Sequence, residues 1–329
     1  MNKRQWFRGL SAIAAVCACP ALMAQTAPAA FPAADRTIRI VVPFAAGGGV
    51  DSAARLLAEQ MRKQLGASVI VENKAGASGT LGGRFVQSAP ADGYTLLFSA
   101  ATQVHTRQVM KNPPYDPQTD FTPVARVGEA PLMLVISPRQ PEQKLSEVLK
   151  AAGAKPEEWT AALPALGAPS HLATLLLAKE GKVSFTYVPY KGTQPALVDV
   201  AGNQVQMLLD SMVSLLQLAK SGNVKPIAIT SKKRSPLMPQ VPTMSESGLP
   251  QFSYVSWYGL WAPKGTPPHL VAALNKAANA AVDELAKSGA FTALGIDPVN
   301  ETPEQFRQYI AREVEQGTEL LRSAGYKPE

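Results

Sequence analysis

The first candidate for ligand binding or catalysis along the chain is a glycine-rich stretch, "PFAAGGGVDSAAR" (Pro43–Arg55). It lies between an apolar strand pattern and a helix pattern. Backbone N–H groups at a helix start attract anions. No Lys-Ser/Thr pair follows the glycines, and a dinucleotide fingerprint counted from Gly47 and Gly49 would need glycine at Ser52. The stretch predicts either a site for a carboxylate, phosphate or sulfate, or a tight turn with glycines for packing. Asp51 is expected to be a structural N-cap or first-turn residue.

A second loop of the same kind, "NKAGASGTLGG", follows the next predicted strand and also opens a helix. Ser78 and Thr80 offer hydroxyl groups beside Gly76 and Gly79. Parallel strands bring such loops to one crevice at their carboxyl ends. The pair therefore predicts a convergent anion site, with an ordinary glycine turn as the alternative.

The residues that could catalyse a reaction are scattered. His105, His171 and His269 lie far apart without metal-ligand spacing, so we expect neither a metal site nor a cofactor. "GASG" around Ser78 lacks the nucleophile-elbow spacing. Ser170 adjoins His171, so a catalytic Ser–His pair would need a special turn, and Ser170 is better interpreted as a helix cap. No close acidic pair predicts glycosidase chemistry.

The first 24 residues have the order of a secretory signal peptide: basic residues, an apolar run from Leu10 to Ala18, then small residues. We place cleavage after Ala24, with a site near Ala29 as the alternative. Cleavage at Cys19, as in a lipoprotein, is a weaker alternative because "VCAC" is a poor signal for lipoprotein processing. Both cysteines, Cys17 and Cys19, lie in this segment, so the remaining chain has no thiol for a disulfide or a nucleophile. Export without disulfides predicts a periplasmic protein.

Charge and length restrict the function further. The whole chain has a net charge of +7, of which the signal peptide contributes three cations. The other basic residues are scattered, so we expect no nucleic-acid partner. No later apolar run is long enough to span a bilayer. A chain of 329 residues exceeds the usual size of a single hydrophobic core.

The elements that would position the two loops alternate between strand and helix patterns along nearly the whole chain. This alternation predicts an α/β fold with parallel sheets. We expect one discontinuous domain at 36–135 and 253–329 and a second at 136–252, with Pro131–Ser137 and "YVSWYGLWAP" as the crossings. The two C-terminal helices, the second with a Thr302/Gln305 capping box, are expected to pack on the first domain.

Several motifs in order resemble one family: "PFAAGGGVDSAARLLAEQM", "VIVENKAGASGTLGGRFVQSAPADGYTLL", "PYDPQTDFTPVARV", "VPYKGTQPALVDVAG", "TSKKRSPLMPQVPTMSESGLPQF" and "WYGLWAPKGTP". The chain is similar to the solute-binding proteins of tripartite tricarboxylate transporters, the Bug-type receptors. The resemblance implies a two-domain periplasmic binding protein of type II-like fold, with a hinge between mixed or parallel sheets. Such a receptor captures a small carboxylate in the cleft and delivers it to membrane permease subunits.

The resemblance also implies which positions contact the ligand. In the first domain they are Phe44, Ala45, Ala46, Gly47 and Gly48, then Ala77, Ser78, Gly79 and Thr80, and Thr102. In the second domain they are Gly167, Ala168, Ser170, Tyr190, Lys191 and Asp210.

The chain departs from the family pattern in several places. Leu163 and Ala168 stand where hydroxyl residues are common, Thr106 replaces an asparagine, and Gly202-Asn203 replaces a glycine pair. The loss of two hydroxyls predicts a ligand whose distal end is apolar or aromatic, and a poor fit for citrate. Two other functions stay open: a secreted α/β hydrolase, and a receptor that presents its ligand to a membrane sensor.

Overall fold

The computed structural model describes residues 31–33 and 35–328. The predicted signal peptide lies outside these residues. None of the helices within them is long and apolar enough to cross a membrane.

Strands and helices alternate in the first part of the described chain, as its sequence predicts. Buried β-branched residues favour strands, and an apolar stripe with a C-terminal glycine favours the first helix, which ends at Gly66 in the left-handed conformation. The elements are β1 (Ile38–Val42), α1 (Gly49–Leu65), β2 (Val69–Asn73), α2 (Thr80–Gln87), β3 (Thr95–Ser99), the short α3 (Thr106–Val109) and β4 (Phe121–Ile136).

The second part repeats this alternation and ends in helices. Its elements are α4 (Leu145–Ala154), β5 (Thr160–Leu163), α5 (Pro169–Gly181), β6 (Thr186–Pro189), α6 (Thr193–Ala201), β7 (Met207–Ser211), α7 (Met212–Lys220) and β8 (Lys225–Ile229). They are followed by β9 (Val255–Pro263), α8 (Pro268–Lys287), α9 (Ala290–Leu294), β10 (Asp297–Pro298) and α10 (Pro303–Ser323). The Thr302/Gln305 capping box predicted for α10 is present.

One hydrogen-bonded path of strands runs β2-β1-β3-β9-β4-β7-β5-β6 through the described residues. The order β2-β1-β3 at one end is matched by β6-β5-β7 at the other, and both sets are parallel. We call these sets, with their helices, the first and second halves. Antiparallel β4 and β9 lie between them, so the fold is a mixed α/β sheet.

β4 is longer than the predicted crossing. Its first part pairs with β9 from Phe121 to Pro131, and its last part pairs with β7 from Leu132 to Ile136. The same strand therefore belongs to both halves, and the predicted crossing at Pro131–Ser137 coincides with the last part of this strand. The exact domain boundaries stay a prediction.

The hydrophobic cores follow this division. One core joins β1 and β3 to α1 and α8, and two others join β5 and β7 to α4–α7. α10 packs on the first half through Phe306 and Ile310, as expected, but its end also contacts α5, where Leu321 joins a cluster with Leu175. α10 therefore contacts the second half in addition to the first.

Gly317 of α10 lies close to His105, which precedes α3. A Cβ at Gly317 would lie 2.2 Å from Cε1 of His105, a side chain that is itself fully buried. Gly317→Ala should therefore lower the free energy of unfolding by roughly 1–3 kcal/mol, because the added methyl group would overlap the buried imidazole and force it or the helix to shift. Urea unfolding checks this value.

The matched control is Gly153→Ala in α4. A Cβ at Gly153 would meet only Cγ1 of Val183, at an ordinary 3.5 Å. The higher helix propensity of alanine should leave the control unchanged or stabilised by up to about 1 kcal/mol. Equal stability of the two variants would contradict the packing at Gly317.

Candidate functional site

A cavity lies where the carboxyl ends of β1, β3, β5 and β7 face one another, between the two halves. It holds about 500 Å³ of space, including its open mouth. Seven of the predicted ligand positions line it: Phe44, Ala45, Gly48, Thr102, Ala168, Ser170 and Asp210. The wall is completed by Pro169, within the predicted stretch 167–170, and by twelve residues that were not predicted as ligand positions: Gly49, Val50, Asp51, Ala100, Pro164, Ala165, Gly192, Thr193, Ser211, Ser214, Ser256 and Tyr258.

Four helices begin at this cavity. Their N-cap residues are Gly48 for α1, Ala168 for α5, Gly192 for α6 and Ser211 for α7, and all four line the wall. None of them caps its helix through a side chain. The positive ends of four helix dipoles therefore converge on one space. No lysine, arginine or histidine is among the residues that line it.

Asp51 fixes the glycine-rich loop. Its buried carboxylate accepts hydrogen bonds from the Gly47 amide (2.9 Å), from Arg55 through both oxygens (2.9 Å each) and from Asn73 (2.8 Å). Asn73 also donates to the carbonyl oxygen of Phe44, 3.0 Å away. Burial acts to raise the pKa of Asp51, but the hydrogen bonds from Arg55, Gly47 and Asn73 lower it overall. The prediction of a structural first-turn aspartate is confirmed.

Ser170 does not cap a helix, which corrects the expectation from sequence. It is the second residue of α5, whose N-cap is Ala168. Its Oγ atom is buried and has no hydrogen-bond partner among the described residues, yet the side chain lines the cavity. A buried unpaired hydroxyl is costly, so this one is expected to bind a group that enters the cavity.

The adjacent histidine does not activate Ser170. Nδ1 of His171 accepts a hydrogen bond from the Gly167 amide at 3.1 Å. Burial lowers the pKa of His171 to about 4, and burial together with the nearby His171 lowers that of His105 to about 4. Both rings are neutral at neutral pH, and neither lines the cavity. Within 31–33 and 35–328, no three metal-ligating side chains lie together.

Asp210 contributes a carboxylate to the opposite wall. Thr193, at the start of α6, donates to its Oδ2 atom at 2.6 Å. Burial raises the pKa of Asp210 to about 6, although the Thr193 hydroxyl and the Ser211 amide favour its charged form.

Other hydroxyl groups connect the second half to β9 and to the first half. Ser211 and Tyr258 share a hydrogen bond of 2.8 Å, and the Gly49 amide donates to Ser214 at 2.6 Å.

The second glycine loop lies behind the wall and does not line the cavity. A Cβ at Gly79 would lie 3.2 Å from the ring of Phe44, so this glycine permits close packing that supports a wall residue. Ala77 and Ser78 have positive φ angles of 46° and 50°. Ser78 Oγ accepts a hydrogen bond from the Leu166 amide of the second half at 3.2 Å, while Thr80 donates to the Ala77 carbonyl.

Five other predicted positions also lie off the wall. Ala46 and Gly47 are exposed, although the Gly47 carbonyl accepts from Gln194 at 2.8 Å. Lys191 is exposed, and Tyr190 donates to Asp199 at 2.6 Å.

Gly167, the fifth, packs against His105 and Val109. A direct ligand contact at these five positions and in the second loop stays a prediction.

Comparison with known proteins agrees with this architecture. Residues 53–326 match the family model described as "Tripartite tricarboxylate transporter family receptor". The chain belongs to this family. Its members are substrate-binding proteins and not enzymes, which excludes the hydrolase.

Three solved structures share the fold. The periplasmic binding protein BugD is 37% identical with a TM-score of 0.85, over 90% of this chain and 99% of BugD. A Rhodopseudomonas palustris protein solved with adipate is 31% identical with a TM-score of 0.87, over 91% and 100% of the two chains. MatC from the same organism, solved with malate, is 36% identical with a TM-score of 0.83, over 88% and 100%. This receptor is therefore of the periplasmic Bug type.

Replacement of Asp51 tests its role in shaping the loop. Asp51→Asn should lower the free energy of unfolding at pH 7 by about 2 kcal/mol, because the charge is lost and one of the two oxygens, each of which accepts two hydrogen bonds, becomes an NH2 group that faces donors. Since the pKa of Asp51 is lowered on folding, its contribution is complete above the ordinary value of 3.8 and disappears as the pH falls below it.

The difference between wild type and Asp51→Asn should therefore shrink in acid. Denaturant unfolding at a series of pH values measures it. Glu59→Gln, on the exposed side of the same helix, is the control and should change stability little. An Asp51→Asn difference that stays constant down to pH 2.5 would contradict this role of the ionised carboxylate.

Proposed function

We propose that this receptor captures a small carboxylate in the cavity and delivers it to the membrane permease of a tripartite transporter. One observation carries the proposal: four helices, α1, α5, α6 and α7, begin at one cavity with N-cap residues that make no side-chain cap. Backbone amides and dipoles can hold a carboxylate there without a cation. The ligands of two neighbours, adipate and malate, are carboxylates.

The rest of the ligand is proposed to be apolar or aromatic. Phe44, Pro164, Ala165 and Ala168 supply apolar surface to the wall. Apolar walls with few placed polar groups suit an apolar body. Leu163 and Ala168 are the two positions where this chain lacks a hydroxyl residue that is common in the family. Ala168 lines the cavity, whereas Leu163 is buried outside it. Ala168 is therefore the departure that supports an apolar ligand.

The alternative role, presentation of the ligand to a membrane sensor, uses the same cavity. In that role the bound ligand is not passed to the permease. If the receptor serves transport, deletion of the permease genes should abolish uptake of the bound carboxylate by cells. If the receptor serves sensing alone, uptake should persist.

Ligand binding is tested by thermal unfolding of purified, refolded protein with a panel of carboxylates. Refolding removes any ligand that co-purifies. A ligand at 100 times its dissociation constant should add about 2.7 kcal/mol of stability. We expect aromatic or long-chain monoacids to stabilise the protein and citrate to have little effect. Strong stabilisation by citrate without any by monoacids would contradict the apolar body, and no stabilisation by any carboxylate would contradict carboxylate capture.

Ser170 is expected to bind the ligand. Ser170→Ala should weaken binding of the best carboxylate about tenfold, since a hydrogen bond to a charged group is lost. Stability without ligand should stay the same or rise, because an unpaired buried hydroxyl is removed. Calorimetric titration and urea unfolding measure the two effects.

Thr174→Val, one turn along α5, is the matched control. The Thr174 hydroxyl donates to the Ser170 carbonyl at 2.6 Å, inside the helix and away from the cavity wall. This variant should lose about 1 kcal/mol of stability and keep its affinity. Normal affinity in Ser170→Ala would show that its hydroxyl makes no ligand contact.

A further inference from the structure

The exposed large apolar side chains of the described residues belong to one strand and one helix in each half. We call Ile70 of β2 with Leu81 and Phe85 of α2 patch 1, and Tyr187 of β6 with Val198 of α6 patch 2. Leu81 and Val198 are 60% and 70% exposed. Single exposed apolar residues are common, so exposure alone does not indicate a binding surface. The positions of these residues in the fold are more informative.

The two patches occupy equivalent positions in the two halves. β2 and β6 are the edge strands at opposite ends of the sheet path. Ile70 and Tyr187 are each the second residue of their strand. Phe85 and Val198 are each the sixth residue of the helix that follows. The strand order of one half repeats in the other, so patch 1 in the first half corresponds to patch 2 in the second half.

Patch 1 also carries positive charge. The guanidinium carbon of Arg39 lies 5.8 Å from the centre of the Phe85 ring, and Lys74 Nζ lies 4.2 Å from it. Arg39 is the strand neighbour of Ile70. Glu72 pairs with Lys74 at 2.7 Å, so Arg39 and the exposed Arg84 of α2 are the charges beside patch 1 that a partner can neutralise. The complement of this surface is an apolar segment beside an acidic residue.

Both patches are tied to closure of the cavity. Ser78, just before α2, accepts the hydrogen bond from the Leu166 amide, and Gln194, the second residue of α6, donates to the Gly47 carbonyl. Each contact joins the loop or helix next to one patch to the opposite half. The spacing between the patches therefore depends on these bridging contacts.

We propose that patch 1 and patch 2 together form the docking surface for the membrane component of the transporter. Its extracytoplasmic loops contact both patches with apolar side chains and place an acidic residue near Arg39. This inference rests on the proposed delivery function and adds the surface that performs it. A partner with fixed loop spacing binds only when the bridging contacts between the halves are made, so empty, open receptor is not engaged.

Site-specific photo-crosslinking tests this surface in cells that express the receptor and its membrane subunits. The probe is p-benzoylphenylalanine in place of Phe85 or of Val198. We expect both positions to form an adduct with the same integral membrane subunit. The control position is Lys276, exposed on α8 outside both patches, which should form none.

A charge variant tests whether both patches are used at once. Arg39→Glu should reduce the adduct formed from position 198 at least about fivefold, because loss of the contact at patch 1 weakens the whole complex. Lys276→Glu is the matched control and should not change it. Both variants should bind carboxylates of the panel as tightly as wild type.

Docking would be overturned by the absence of adducts at both positions, by equal adducts at position 276, or by adducts only between two receptor copies. An unchanged adduct at position 198 in Arg39→Glu would overturn simultaneous use of the patches. Failure of the proposed function is distinguishable: the receptor would then bind no carboxylate. Carboxylate binding without membrane adducts refutes the docking surface and leaves capture intact.

Discussion

The convergence of four helix N-termini on one cavity is the constraint on which the rest of this structure depends. Each helix follows a strand at its carboxyl end, and none of the four N-cap side chains accepts a hydrogen bond from the first amides of its helix. A helix start of this kind stabilises negative charge by typically 0.3–1 kcal/mol at exposed sites and by more when buried. The lining contains no cation, so the helix ends and hydroxyls are what it offers an anion.

The surrounding contacts serve this geometry. Asp51 and Asn73 hold the loop before α1, while Gly79 lets the second loop pack behind Phe44. β4 runs through both halves, so the positions of the helix ends are set by a shared strand. Asp210 keeps a carboxylate in the second wall, where burial raises its pKa to about 6.

The sequence predicts the periodic elements well because buried strands and amphipathic helices carry local patterns. It also predicts Gly48, Phe44 and Ala168 as cavity residues, from the glycine-rich loop and the family resemblance. It does not predict Gly192, Ser214 or Tyr258, because their place in the wall depends on how the halves meet. It misassigns Ser170, since a serine near a helix start is typical of a cap whether or not its hydroxyl faces its own helix.

The central claim is that backbone amides at the cavity hold the ligand. Selective ¹⁵N-glycine labelling reports on it directly, during titration with the carboxylate that stabilises the protein most. The account predicts a large amide shift at Gly48, which lines the cavity at the start of α1, and small ones at Gly153 and Gly222, which lie away from the cavity. Saturable binding that leaves the Gly48 amide unchanged would contradict it.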